Sequence, residues 1–196
     1  MKRQAIALMV LAFATALVPQ ALDAGVGIKG GFSLSKFSET PAYAWENLPF
    51  FAGGVSFEGG FGYISLQPEV LYVRMGGKDP AGVFEYRFHY IQVPVLLKIS
   101  IVPAGPVRPF VFGGGYGSYL VKAESVIGAV KTDQTENYER YDYGLVGGVG
   151  LAFKMTVLAV SVEGRYNYGL KNIMKEPGLG ESMKNRCLMA LVGINF

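Results

Sequence analysis

Histidine and cysteine are almost absent: the 196-residue chain holds one of each, His89 and Cys187. A single cysteine excludes a disulfide framework and any cysteine-based zinc cluster, and a single histidine excludes multi-histidine metal sites. Charge is scarce as well, at 17% against the roughly 25% usual for a soluble domain. Beyond residue 24 no uncharged apolar run approaches the ~18 residues a membrane helix needs, so a helical membrane protein is excluded. What fills the chain instead is apolar and small: 51% hydrophobic residues, 13% aromatics and 27 glycines, with a mean hydropathy of +0.29. Something apolar faces the outside of this molecule. The length fits one domain.

Met1-Lys2-Arg3 supplies a positive start, residues 5–18 are a short apolar stretch, and Pro19-Gln20-Ala21-Leu22-Asp23-Ala24 is a polar, small-residue exit. This pattern predicts a secretory signal peptide over 1–24, leaving a domain over 25–196. Losing Lys2, Arg3 and Asp23 takes the formal charge from +3 to +2. That charge is small and scattered, so nucleic acid is not an expected partner.

From residue 25 onward the hydrophobicity alternates with period two, the mark of strands with unlike faces. Val26, Ile28, Phe32 and Leu34 oppose Lys29, Ser33 and Ser35, and Phe51, Val55 and Phe57 oppose Ala52, Gly54, Ser56 and Glu58. Ile64, Leu66, Pro68, Val70 and Tyr72 oppose Ser65, Gln67 and Glu69. Residues 84–99 and 108–120 form the fourth and fifth segments, the fifth glycine-rich and ambiguous in its facing. Tyr141, Tyr143, Leu145, Val149, Leu151 and Phe153 then oppose Asp142, Gly144, Gly148 and Gly150. Leu158, Val160, Val162, Tyr166 and Tyr168 oppose Ser161, Glu163, Arg165 and Asn167, and Leu188, Ala190, Val192, Ile194 and Phe196 oppose Cys187, Met189, Gly193 and Asn195.

These are eight strands, joined alternately by long polar connections (35–49, 75–83, 121–140, 169–186) and short ones (58–61, 100–107, 154–155). Such a meander predicts an all-β, eight-stranded antiparallel up-and-down transmembrane β-barrel, with long loops outside and tight turns in the periplasm. A soluble lipocalin-like barrel would invert the two faces. Three features favour polar residues inside. The polar face is rich in Gly, Ser and Ala, as a narrow circumference requires. Aromatics (Phe51, Phe57, Tyr72, Phe110, Tyr141, Tyr143, Phe153, Tyr166, Tyr168) sit near strand ends on the apolar face, like interfacial girdles. Phe196 closes an alternating strand and reads as a C-terminal assembly signal for barrel-assembly machinery.

The fourth segment carries a conflict, because Glu85, Arg87 and His89 share one parity and Gln92 and Lys98 the other. A bulge at 90–94 would reconcile them, as would a segment that rises above the bilayer as far as Tyr90. Pro68 and Pro94, each without a donor, predict a local break in the ladder.

Several stretches resemble the outer membrane protein beta-barrel domain family of small porin-like proteins. They are Gly27-Ile28-Lys29-Gly30-Gly31-Phe32-Ser33, Tyr90-Ile91-Gln92-Val93-Pro94-Val95-Leu96-Leu97-Lys98, Arg108-Pro109-Phe110-Val111-Phe112-Gly113-Gly114, Asp142-Tyr143-Gly144-Leu145-Val146-Gly147-Gly148-Val149-Gly150 and Glu163-Gly164-Arg165-Tyr166-Asn167-Tyr168-Gly169-Leu170-Lys171-Asn172-Ile173. The resemblance implies a barrel of the OmpA and OmpX type in a Gram-negative outer membrane. It transfers no catalytic residue.

The candidate site is the lumen set Lys29, Gln67, Glu69, Gln92, Glu163, Arg165 and Asn167. Charges in so narrow a barrel must be paired or hydrated, which predicts an ion-pair and hydrogen-bond filling of the interior. The expected role is structural or surface-interacting through the outer loops, as a monomer whose partners are membrane lipid and the assembly machinery, with no metal, cofactor or catalytic residue. Two alternatives are a narrow pore lined by Lys29, Glu69, Glu163 and Arg165, and a lipid-modifying enzyme centred on His89. Trp45, in the first long loop, reads as an anchor at the outer interface in preference to part of a binding surface. Cys187 reads as a lumen-facing packing residue.

Overall fold

A computed structural model describes residues 23–41, 44–102 and 104–196. The signal segment expected over 1–24 lies outside them, except for Asp23 and Ala24. The strands are β1 (Asp23–Thr40), β2 (Leu48–Phe61), β3 (Ile64–Lys78), β4 (Phe84–Ser100), β5 (Val107–Ile127), β6 (Val130–Asp133), β7 (Tyr141–Lys154), β8 (Ala159–Gly169) and β9 (Ser182–Asn195). Eight of them close into an antiparallel ring, each pairing with its neighbours in the chain, as β4 joins β5 and β1 joins β9. The ninth, β6, is a four-residue arm that pairs with the outer end of β5.

Alternation decides the facing. Outward positions on β4 run Ile91, Val93, Val95, Leu97 and Ile99, all exposed, while Tyr90, Gln92, Leu96 and Lys98 are buried in the lumen. Every strand of the ring repeats this pattern, so the outside carries a continuous apolar belt. Phe110 departs from the expected girdle: it is 2% exposed and lies in the lumen, because inward parity on β5 belongs to Phe110, Phe112, Tyr116, Ser118 and Leu120. Glycines alternate with these side chains and carry no hydropathy, which hides the parity in the sequence.

The conflict on the fourth strand is settled differently from the expected bulge at 90–94. β4 itself is regular, and the extra residue belongs to its partner: His89 pairs with Lys122 and Tyr90 with Leu120, so Val121 is the inserted residue on β5. Glu85, Arg87 and His89 point outward on the part of β4 beyond the apolar belt. The prolines have their effect without a register change, since β3–β4 pairing lapses between Pro68↔Val95 and Leu71↔Gln92 and then resumes in the same register.

Strand length explains why the long connections are shorter than the alternation suggested. At ~3.3 Å per residue and a ~40° tilt, the 21 residues of β5 stand about 50 Å tall, twice the ~25 Å apolar band of an outer-membrane barrel. The surplus rises beyond the belt at the long-loop end. Along that rise the top of β2 separates from β3, and β1 serines replace the missing ladder. Ser35 Oγ accepts from Gly76 N at 2.7 Å and donates to Gly76 O at 3.0 Å, and Ser33 Oγ donates to Arg74 O at 3.0 Å.

Candidate functional site

The lumen is built in layers because successive inward residues on one strand sit at successive heights. Near the short-turn end Glu58 accepts from Lys98 Nζ and Ser65 Oγ, each at 2.8 Å, and Lys98 lies 4.3 Å over the Phe110 ring. These groups border a vestibule of about 570 Å³.

Above it lies the charged layer, drawn from three strands distant in sequence. Lys29 of β1 donates to Glu69 of β3 and Glu163 of β8, both at 2.8 Å. Arg165 of β8 grips Glu69 with two bonds, 2.7 and 3.1 Å, and pairs with Glu163 as well. Gln67 Nε2 donates to Glu69 at 2.6 Å. All four charged side chains are at most 2% exposed. Two cations meet two anions, so the layer is neutral and each charge keeps a partner, the condition under which buried ions are tolerated. One level up, Asn167 Nδ2 donates to Gln92 Oε1 at 2.8 Å and Gln92 Nε2 to Ser118 Oγ at 3.2 Å. All seven candidate residues are thus in the lumen, in two bonded groups.

Other lumen residues lie outside the candidate set. Glu58 and Lys98 carry the same parity signal and could have been added. Asp142 and Asn185 form a third polar pair at 2.9 Å, with Asn185 also reaching the Tyr90 hydroxyl at 3.2 Å. Asn185 falls in a stretch that reads as loop, so its parity has no strand to refer to.

Toward the long-loop end the lumen becomes apolar. Leu71, Val73, Met75, Phe88, Tyr90, Leu120, Ile173, Cys187 and Met189 pack there at 0–1% exposure. Loops complete this core from above. Trp45 packs edge-on against Phe37 (5.2 Å), Tyr86 (5.7 Å) and Phe84 (6.2 Å), and its Nε1 donates to Glu39 at 2.6 Å. Trp45 therefore caps the barrel mouth and does not anchor its loop in the lipid interface. Tyr138 packs on Phe88 at 4.7 Å, and the bridge Tyr138↔Met174 ties the loop before β7 to the loop before β9. In the outer hairpin Thr135 donates to Asp133 from its hydroxyl and, at 2.8 Å, from its backbone N, which together hold that carboxyl below its usual range.

His89 lies on the outer wall. Its Nδ1 bonds the Tyr72 hydroxyl, and its Nε2 is 3.6 Å from Glu124. Among the described residues no group of His, Cys, Asp and Glu is placed to hold a metal. Phe196 is 67% exposed and pairs through its backbone with Val26, at 2.8 and 3.2 Å.

Residues 18–175 match the family described as outer membrane protein beta-barrel domain. The chain belongs to that family. Its place is therefore the bacterial outer membrane, spanned by the ring of strands. No curated protein shows a detectable sequence match. Among solved structures the fold is similar to Neisserial surface protein A, with a TM-score of 0.56, 14% identity, and 87% of this chain and 95% of that one covered. It is also similar to Ail, the attachment invasion locus protein of Yersinia pestis, with a TM-score of 0.51, 16% identity, and 88% and 99% covered. At such identities the likeness concerns the fold alone.

Proposed function

We propose that this outer-membrane barrel conducts nothing in its resting form and works as a monomeric scaffold that presents its tall outer end to the surroundings. The observation that carries this reading is the stacking of closures across one lumen: the neutral Lys29–Glu69–Glu163–Arg165 layer, the Asn167–Gln92–Ser118 bonds, and the apolar core capped by Trp45 and Tyr138. An eight-stranded ring leaves an interior that side chains roughly fill, and these layers fill it from several strands at once. Rigid walls carrying variable loops are the usual arrangement for contact surfaces. The reading is non-catalytic and cofactor-free. His89 Nδ1 is already engaged by the Tyr72 hydroxyl, and no Ser, Thr or Cys bonds to the ring among the described residues.

The deciding experiment is single-channel recording on protein purified from outer membranes. Silent bilayers that hold barrels with a heat-dependent gel shift are expected. Discrete steps whose size changes in Glu163→Gln would replace this reading with a pore lined by the charged layer.

Lipid and the assembly machinery are the partners this role requires. Phe196 supports the second, as an exposed aromatic at the closing strand pair. Phe196→Ala is expected to lower the yield of gel-shifted barrel in the outer membrane; an unchanged yield would remove Phe196 from that role.

A further inference from the structure

Beyond the belt at the long-loop end, the outer wall is electrostatically lopsided. On the β3–β5 side three of the outward cations find carboxylates, Arg87 with Glu85 (2.6 Å), Lys122 with Glu124 (2.7 Å) and Lys78 with Glu46 of the adjoining loop (3.7 Å), while Arg74 lies 5.1 Å over the Phe50 ring. On the β1–β9 side none does. Parity turns Lys36, Lys184 and Arg186 outward, Lys36 exposed, Lys184 half-buried and Arg186 only 8% exposed, and among the described residues no carboxylate lies within ion-pair distance of any of them. The other outward positions at these heights, Ser38 and Thr40 on β1 and Ser182 on β9, are hydroxyls.

The register adds a repulsion. Lys36 pairs directly with Arg186, and like charges opposite one another destabilise a sheet. Arg186 is moreover fixed in place. Its guanidinium lies 3.6 Å over the Tyr168 ring, and Nη1 donates to Gly169 O at 2.6 Å and Asn185 O at 2.9 Å. Those bonds use Nη1 only, so Nε and Nη2 are left to donate elsewhere. The side chain's ordering cost is therefore met before any ligand arrives. Two residues below, toward the membrane, Leu34 pairs with Leu188, with Phe32 at 72% and Tyr168 at 45% exposure beside them. A cationic step thus sits directly on an acyl-chain surface, at the height where headgroups lie.

We propose that Lys36, Lys184 and Arg186 form a binding site for the phosphate of an anionic outer-leaflet lipid, whose acyl chains lie along Phe32, Leu34 and Leu188. The anion relieves the Lys36–Arg186 repulsion, and the apolar floor selects a lipid over a soluble phosphate. The site is on the outer wall, so it stands whether or not the lumen conducts.

The test is binding of bis-phosphorylated lipid A to the full barrel in non-ionic detergent, followed by native mass spectrometry. The wild type is expected to prefer the bis-phosphorylated form over the dephosphorylated one by about tenfold or more. Lys36→Gln with Lys184→Gln is expected to weaken binding about tenfold and abolish that preference, while Lys78→Gln with Lys122→Gln leaves both intact. Arg186→Lys keeps the charge but not the planar stack, and with an intact gel shift it is expected to lose part of the preference. Equal losses in both double variants would overturn the proposal, as would a wild type blind to the phosphates. So would full competition by millimolar inorganic phosphate, or tighter binding of a soluble sulfated oligosaccharide than of lipid A.

Discussion

Arg165 holds two carboxylates at once, and this governs what its removal does. Without it, Glu69 and Glu163 share the single charge of Lys29 in a site with no access to water, and the layer carries a net negative charge. Leaving one buried charge unpaired costs ~3–5 kcal/mol. Arg165→Met is therefore expected to lose about that much stability in urea titrations of the barrel in lipid vesicles. Adding Glu69→Gln restores neutrality by leaving Lys29 and Glu163 as a pair, so the double variant is expected to be more stable than Arg165→Met alone. Additive losses would mean that the layer is not electrostatically coupled. The seven lumen residues are legible in the sequence because a strand's period of two assigns a face to each polar residue from its neighbours. The same rule offers no view of Asn185, which belongs to no strand recognisable by alternation, nor of Trp45, whose position depends on Phe37, Phe84 and Tyr86 meeting from separate segments.

The contact between β5 and β7 shows what the glycines are for. Phe110, Phe112 and Tyr116 on β5 pair with Gly150, Gly148 and Gly144 on β7. Each ring lies over its glycine: a Cβ at Gly148 would stand 2.4 Å from Phe112 Cζ and 2.3 Å from Gly164 O, and one at Gly150 would stand 2.4 Å from Phe110 Cζ. Large side chains on one strand thus take the space vacated on the next, which lets the narrow lumen hold three aromatic rings along one seam. Overpacking of this kind costs ~1–3 kcal/mol. Gly148→Ala is expected to destabilise by that amount in the same titration, and Phe112→Leu is expected to recover part of the loss by clearing the ring. If Phe112→Leu and Gly148→Ala simply add, the ring is not the obstacle and the Gly164 carbonyl is. The sequence announces glycines and aromatics but not their pairing, because register between strands depends on the whole ring. The Val121 bulge is hidden for the same reason, since the skipped residue is visible only against its partner strand, and the charge conflict on β4 is resolved instead by Glu85, Arg87 and His89 facing outward above the apolar belt.

Taken together, the strands make a wall of unequal height around one belt. β8 spans 11 residues and β5 spans 21, so the β4–β5 side stands well above the bilayer while β8 scarcely clears it. The belt itself is the most legible property of the chain, since outward alternation recurs on every strand of the ring except glycine-rich β5 and needs no tertiary information. The heights are not, because alternation in water and alternation in lipid look alike in sequence once polar residues occupy both faces. Depth can nonetheless be measured through substitution. Val95 is the middle of the outward series Ile91, Val93, Val95, Leu97 and Ile99, whereas Val107 starts β5 at the short-turn rim beside Arg108. A cation facing lipid costs ~2–4 kcal/mol at the midplane of a transmembrane barrel and about 0–1 near its edge. Val95→Arg is expected to lose stability in that first range and Val107→Arg in the second, both read from urea unfolding in vesicles. Equal costs at the two positions would place the belt off centre on β4, and a larger cost at Val107 would move the membrane toward the turns and leave Ile91, not Val95, in water.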